Sequence, residues 1–268
     1  MGRISERFET LAARGETALI PFLTVGDPDI ETSEAIVLSM AEAGADLIEL
    51  GVPFSDPIAE GPTIQRSSER ALESGTSLHA VLELVSRLRP RLDIPLILMG
   101  YANPFFTMGY ERFSKIAAEV GVDGIIVPDL PPEEGDDLYG RCNERGVDGI
   151  LLAAPTTTPD RLEMLAGSSR GFLYYVSLTG VTGARSQIAE GVEDGVRAAR
   201  GVGKIPVCVG FGISTPDHAR TVSAYADGVV VGSAVVNRIE AATSRDEAVA
   251  NVASYIAEMK APLRASQD

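Results

Sequence analysis

The sequence predicts a (β/α)8 (TIM) barrel with one extra helix at its N-terminus, and three observations predict it. A short pattern recurs: GADLIELG (44–51), GVDGIIVP (121–128), GVDGILLA (146–153) and YADGVVVG (225–232). In each, a small residue closes a helix, an aspartate follows in the turn, and an Ile/Val-rich run has the length of a strand buried on both faces. Four further runs, LIPFLT (19–24), PLILM (95–99), FLYYVS (172–177) and PVCVG (206–210), bring the set to eight. Amphipathic stretches such as SEAIVLSMAEAG, LHAVLELVSRLR and ERFSKIAAEVG lie between them. Eight strand–helix units in about 250 residues is the arithmetic of the barrel. The same alternation suits a doubly wound sheet, but no GxGxxG opens a helix after the first strand.

In chain order, ISERFETLAARG places Ile4, Phe8 and Leu11 on one helical face, fit to cap the barrel floor. The first strand ends at Thr24 and the second, LIELG, at Gly51. The loop GVPFSDPIAEGPTIQ then crosses the mouth, stiffened by Pro53, Pro57 and Pro62 and bent at Gly51 and Gly61. No linker or low-complexity segment interrupts residues 1–268, which read as a single domain. The tail after Lys260 is expected to fray.

Composition narrows the function. Of 268 residues, 45% are hydrophobic, enough for a real core. No apolar run approaches the roughly 20 residues of a membrane helix, and the N-terminal stretch lacks the apolar centre of a secretory signal. A cytoplasmic protein is expected. A net charge of −15 argues against nucleic-acid binding. The only lysines are Lys115, Lys204 and Lys260. So acidic and lysine-poor a surface suits a salt-rich, halophilic cytoplasm, where screening limits self-repulsion. Cys142 and Cys208 lack CxxC spacing and read as buried thiols. His79 and His218 are too few and too helical for a zinc site or a catalytic triad.

In this fold chemistry collects at the C-terminal ends of strands. TGVTGA after the sixth strand, GFGIS after the seventh and VGSA after the eighth carry glycine and serine where backbone N–H groups bind an anion. A phosphorylated ligand is expected, and the absence of GxxxxGK[ST] argues against a nucleotide P-loop. In LIELG, Leu47 and Glu49 share the barrel interior while Ile48 and Leu50 face the helices. A carboxyl at the inner end of that strand is desolvated and suits proton transfer near neutrality. The alternative is a structural glutamate paired with an arginine or capping a loop. Asp56 precedes proline and is open to a turn-setting role; Glu60 on local grounds is open to being a solvated acid.

IELGVPFSDPIAEGPTIQ resembles the signature of the tryptophan synthase alpha chain family. PFLTVGDP (21–28), MGYANPFF (99–106), VPDLPPEE (127–134), SLTGVTGA (177–184) and VGFGIS (209–214) resemble its other blocks, in order and over nearly the whole chain. The resemblance implies a barrel lyase that cleaves indole-3-glycerol phosphate. It implies no cofactor on this chain, and a beta chain carrying pyridoxal phosphate that receives indole in an αββα (α2β2) assembly. The catalytic acid–base falls on Glu49. The second catalytic carboxylate, usually aspartate in the family, falls on Glu60. The strand-six tyrosine falls on Tyr174 and the mobile-loop threonine on Thr182. Phe22, Tyr101 and Asp129 match positions lining the site, Gly183, Gly212, Gly232 and Ser233 the phosphate contacts, and Asp56 and Pro57 the partner-facing loop. Rival readings are a stand-alone indole-releasing lyase, a non-catalytic module that activates the beta chain, and a sugar-phosphate isomerase. No lysine at a strand end argues against a Schiff-base aldolase, and no ligand cluster against a metal-dependent one.

Overall fold

A computed structural model describes residues 2–177, 191–210 and 212–265. Its strands are β1 (Ala18–Thr24), β2 (Ile48–Gly51), β3 (Leu96–Met99), β4 (Gly124–Ile126), β5 (Asp148–Ile150), β6 (Leu152–Ala153), β7 (Leu173–Val176), β8 (Val207–Gly210) and β9 (Gly228–Val231). They form one parallel sheet in the order β5-β4-β3-β2-β1-β9-β8-β7-β6. Eight strands were expected, and the ninth arises because GVDGILLA is split at Leu151. β5 pairs with β4 and β6 with β7, so the two halves of one run hold opposite edges of the sheet and bring the barrel to closure. At the break, the Leu151 N–H donates to Ser169 Oγ at 2.9 Å and its carbonyl accepts the Tyr174 N–H at 3.0 Å. Its backbone groups are thereby satisfied although the ladder is interrupted.

Strand parity sorts the core into two layers. Ile20, Phe22, Leu47, Ile97, Met99, Ile126, Ile150, Tyr174, Cys208 and Val230 fill the interior. Ile48, Leu50, Leu96, Leu98, Val207 and Val209 pack outward against the helices. The interior is therefore a packed plug with its opening at the C-terminal rim. The opposite end is closed by the helix Arg3–Arg14, whose Ile4, Phe8 and Leu11 join the interior cluster, with Phe8 5.9 Å from the ring of Phe172.

The recurring aspartates have a more specific task than setting a turn. Asp46 accepts the Leu19 N–H at 2.8 Å, Asp123 the Leu96 N–H at 2.9 Å, and Asp227 the Val207 N–H at 2.9 Å. Each ties the base of its own strand to the strand that precedes it in the chain. Asp46 also receives Lys260 Nζ at 2.8 Å, and Asp123 receives Arg3 and Arg89 at 2.9 and 3.0 Å. Asp148 carries the pattern without that strand contact among the described bonds, and burial pushes its carboxyl up to about 6.

The fraying expected past Lys260 does not extend to the first residues of the tail. Ala261–Leu263 forms a 3-10 turn, Leu263 is buried, and its carbonyl accepts the Thr17 N–H at 3.0 Å. The mouth loop is also shorter than its sequence suggested. The helix Pro62–Glu73 takes the last residues of the stretch, starting on a proline whose missing N–H costs nothing there.

Candidate active site

Glu49 lies in β2 between Phe22 of β1 and Ile97 of β3, its register partners. Its side chain points into the interior and is 1% exposed. Both carboxyl oxygens lack a hydrogen-bond partner among the described residues, so the arginine-paired alternative fails. Burial among apolar neighbours disfavours the charged form and pushes the carboxyl up to about 8. A group so placed is protonated at neutral pH and within easy reach of ionisation.

Glu60 is not a solvated acid. Its Oε2 accepts the hydroxyl proton of Tyr101, and the Tyr101 oxygen accepts the Ala59 N–H at 2.8 Å. Phe54 stacks on the Tyr101 ring at 5.2 Å. Gln65 Nε2 donates to the Glu60 carbonyl at 2.9 Å. These contacts fold the loop inward, so that Glu60 lines the mouth pocket with Phe22, Gly51, Ile64, Met99 and Tyr101. Burial raises its carboxyl, the Tyr101 bond lowers it, and the charge of Asp129 raises it again.

Tyr174 of β7 is buried in the barrel interior. Burial lifts its phenol well above the ordinary value, and the charges of Glu49, Cys208 and Glu60 add to the lift. Charges on separate elements thus act on one tyrosine. Gly210 makes room for it: a Cβ there would fall 2.1 Å from the Tyr174 hydroxyl. Gly51 does the same for Phe22, whose ring would lie 2.5 Å from an added Cβ.

Asp129 sits at the rim and is exposed. It does not cap the helix that follows it, Pro132–Glu144, which has no side-chain cap. Its Oδ1 instead accepts the Ala102 N–H at 2.9 Å, capping the helix Ala102–Met108 that begins beside Tyr101. Asp56 is exposed and, among the described residues, bonded only by its neighbour Ser55, at 2.6 Å. Beyond Pro57, Ile58 is 83% exposed, and Phe106 in the helix Ala102–Met108 is 72% exposed.

Gly232 caps the N-terminus of the helix Ser233–Ala241. An added Cβ there meets only ordinary contact, 3.6 Å from Phe22, so packing alone does not demand glycine. Open backbone at a helix start is what an anion site needs. Gly212 has φ +81°, which calls for glycine on conformational grounds alone. Thr182 and Gly183 lie outside the described residues. No group of three or more metal-ligating side chains occurs among the described residues.

Met99 and Phe54 are among the pocket residues that sequence reading did not single out. Met99 ends β3 with the same inward parity as Ile97, and the strand-end rule applied to PLILM finds it. Phe54 lies in an aperiodic loop that carries no such signal.

A parallel barrel with a buried carboxyl that is unpaired among the described residues, and a second acid folded over its mouth, defines a barrel enzyme with two acids at its open end. Comparison with known proteins narrows the class. The family model for the tryptophan synthase alpha chain matches residues 8–264. The tryptophan synthase alpha chain of Geobacter sp. (strain M21) is 56% identical over 240 residues, 90% of each chain. That of Geobacter sulfurreducens is 49% identical over 260 residues, 97% of this chain and 98% of its own. The crystal structure of tryptophan synthase subunit alpha from Legionella pneumophila superposes with a TM-score of 0.90 at 38% identity, covering 98% of each chain. A structure of Mycobacterium tuberculosis tryptophan synthase does so with a TM-score of 0.90 at 37% identity, covering 99% of each. The chain belongs to the tryptophan synthase alpha chain family.

Proposed function

We propose that this chain cleaves indole-3-glycerol phosphate to indole and glyceraldehyde 3-phosphate, with Glu49 as its acid–base group and Glu60 as its second carboxylate. The observation that carries the roles is the buried Glu49 carboxyl, unpartnered among the described residues and raised to about 8. The neutral acid gives its proton to C3 of the indole, which leaves positive charge on the ring nitrogen. Glu60, held at the mouth by Tyr101, accepts a hydrogen bond from the ring N–H and stabilises that charge. The Glu49 carboxylate then takes the proton of the adjacent hydroxyl. As the carbon–carbon bond breaks, its electron pair restores the aromatic ring and the hydroxyl carbon becomes the aldehyde. Glu49 ends protonated, as it began, so one residue serves both transfers.

The phosphate is held at Gly212, Gly232 and Ser233, together with Gly183, and supplies orienting binding energy remote from the reacting carbons. Phe22 lines the pocket beside Glu49. Tyr174 sets the position of the indole between the two acids, and Asp129 fixes the rim helix next to Tyr101. Thr182, outside the described residues, is assigned to substrate binding by the family resemblance alone. Indole passes to a beta chain in an α2β2 complex. Pyridoxal phosphate belongs to that partner, and this chain carries no cofactor of its own. Asp56, Pro57 and the exposed Ile58 and Phe106 face the partner, which favours partner-coupled release over a stand-alone lyase.

Glu49→Gln is the test. Indole release is expected to fall about 10²- to 10⁴-fold with KM little changed, the loss typical of a removed general acid–base. Undiminished turnover overturns the assignment. Assaying indole release with and without beta chain separates the stand-alone and non-catalytic readings.

A further inference from the structure

The loop that follows β8 and the helix Ser233–Ala241, the two described walls of the phosphate site, are joined from outside the barrel by one pair of side chains. Tyr255, in the helix Arg245–Lys260, is 2% exposed. Its hydroxyl donates to the Ser214 carbonyl at 3.2 Å. The Arg238 guanidinium lies over the same ring, 3.7 Å from its centroid. Arg238 Nη1 in turn donates to the Ala234 carbonyl at 2.7 Å, one turn back toward the start of its own helix. The contacts run Ser214–Tyr255–Arg238–Ala234, from two residues past Gly212 to the residue after Ser233.

We propose that Tyr255 and Arg238 are positioning residues that hold these two walls at the separation a phosphate group requires. The inference rests on the phosphate reading given above. Backbone N–H groups bind an anion well only when they converge without reorganisation at the moment of binding. Gly212 and Gly232 deprive both walls of side-chain packing at the point of ligand approach, so their order must come from behind. Tyr255 is suited to supply it. Its ring buries against the helix layer with few torsions to freeze, and its hydroxyl needs one partner, which the loop carbonyl provides. The stacked guanidinium carries the same restraint to the helix.

Tyr255→Phe keeps the ring and the cation stack and removes the hydroxyl alone. Inorganic phosphate serves as a competitive probe of the site, and indole-3-glycerol phosphate as substrate. The inhibition constant of phosphate and the KM are both expected to rise about three- to tenfold, as for one lost hydrogen bond, with kcat changed by less than about twofold. Arg238→Gln is expected to shift both constants in the same direction. A residue that serves stability alone lowers the melting temperature and leaves the phosphate constant where it was; that result overturns the proposal. Gly232→Ala separates this from failure of the underlying reading. If Gly232→Ala weakens phosphate and Tyr255→Phe does not, the positioning role alone fails. If Gly232→Ala leaves phosphate inhibition at the parental value, the phosphate site is elsewhere, and the proposal falls with it.

Discussion

Tyr101, two residues past the end of β3, donates its hydroxyl proton to Glu60 in the loop that follows β2. The same hydroxyl oxygen accepts the Ala59 N–H, so one phenol holds both the side chain and the backbone of the loop tip. This is the physical answer to the extra methylene of Glu60. A longer acid left free would sample many positions over the mouth, whereas one drawn back by Tyr101 has a defined place. A double-mutant cycle on kcat/KM with Tyr101→Phe and Glu60→Asp tests it. Tyr101→Phe is expected to cost the parent more than it costs the Glu60→Asp protein, with a coupling of about 1.5–3 kcal/mol, the range for a hydrogen bond to a charged group. Additive losses would mean that Tyr101 acts on the substrate and not through Glu60.

Glu49 makes stability depend on pH in a predictable direction. Its carboxyl is raised from 4.5 in a free chain to about 8 when folded. Between those values the folded state holds a proton that the unfolded state has lost, so stability falls as pH rises. Below that window both states are protonated, and above it both are ionised, so the slope vanishes at either side. Glu49→Gln removes the effect. The variant is expected to gain on the parent by roughly 1–2 kcal/mol per pH unit across the window. Urea unfolding at pH 5, 6, 7 and 8 checks this. A constant difference would show that the carboxyl titrates alike in both states.

What could be read in the sequence and what could not divides along periodicity. The inward face of Glu49 follows from the period of two in LIELG, and the plug of Ile4, Phe8 and Leu11 from the period of a helix. The recurring aspartates stand out as a pattern, yet their partners Leu19, Leu96 and Val207 lie 20 to 27 residues back, across a whole helix. The split of the fifth strand is invisible in GVDGILLA, because it depends on which neighbour each half meets. Glu60 and Tyr101 are 41 residues apart, and a loop carries no repeat from which to place its tip. The arrangement of Arg238 over Tyr255 has no local signature at all.

Arg70 sits where the loop after β1, the helix Pro62–Glu73 and the helix Ser233–Ala241 meet. It binds Asp27 through two bonds of 2.7 Å and Glu240 at 2.9 Å, and Arg66 adds two bonds of 3.0 Å to Glu240. Asp27 is 1% exposed; burial raises its carboxyl and Arg70 pulls it back. Arg70→Ala strands a buried acid and is expected to cost about 3–5 kcal/mol near neutral pH. Protonation of Asp27 relieves part of that cost, so the loss is expected to shrink at acid pH, where the folded carboxyl keeps its proton. Glu240→Gln, at the wetter end of the network, is expected to cost less than about 1 kcal/mol. Urea midpoints of both variants at pH 5 and pH 8 decide it, and equal small losses would mark the whole network as surface pairing.

Gly210 is the last residue of β8, and the Ser177 N–H bonds its carbonyl at 2.9 Å. Its glycine is a matter of space, since it is absent from the residues with positive φ. An alanine Cβ would lie 2.1 Å from the Tyr174 hydroxyl and 2.6 Å from the ring carbon that bears it. The tyrosine is 3% exposed and Phe172 is a near neighbour, 6.4 Å between ring centres, so the ring has little room to retreat. Gly210→Ala is therefore expected to displace the Tyr174 ring. The strain is expected to cost about 1–3 kcal/mol of stability, leaving a folded barrel. A displacement near 1 Å at the reacting site costs on the order of 100-fold in rate, so kcat/KM is expected to fall by about ten- to 100-fold. Tyr174→Phe supplies the comparison, because it removes the hydroxyl while leaving the ring in place. If Gly210→Ala loses far more activity than Tyr174→Phe, the tyrosine acts by the volume it fills. If the two lose alike, its hydroxyl is what the acids and the substrate require. Parental kcat/KM in both variants would remove Tyr174 from the reaction.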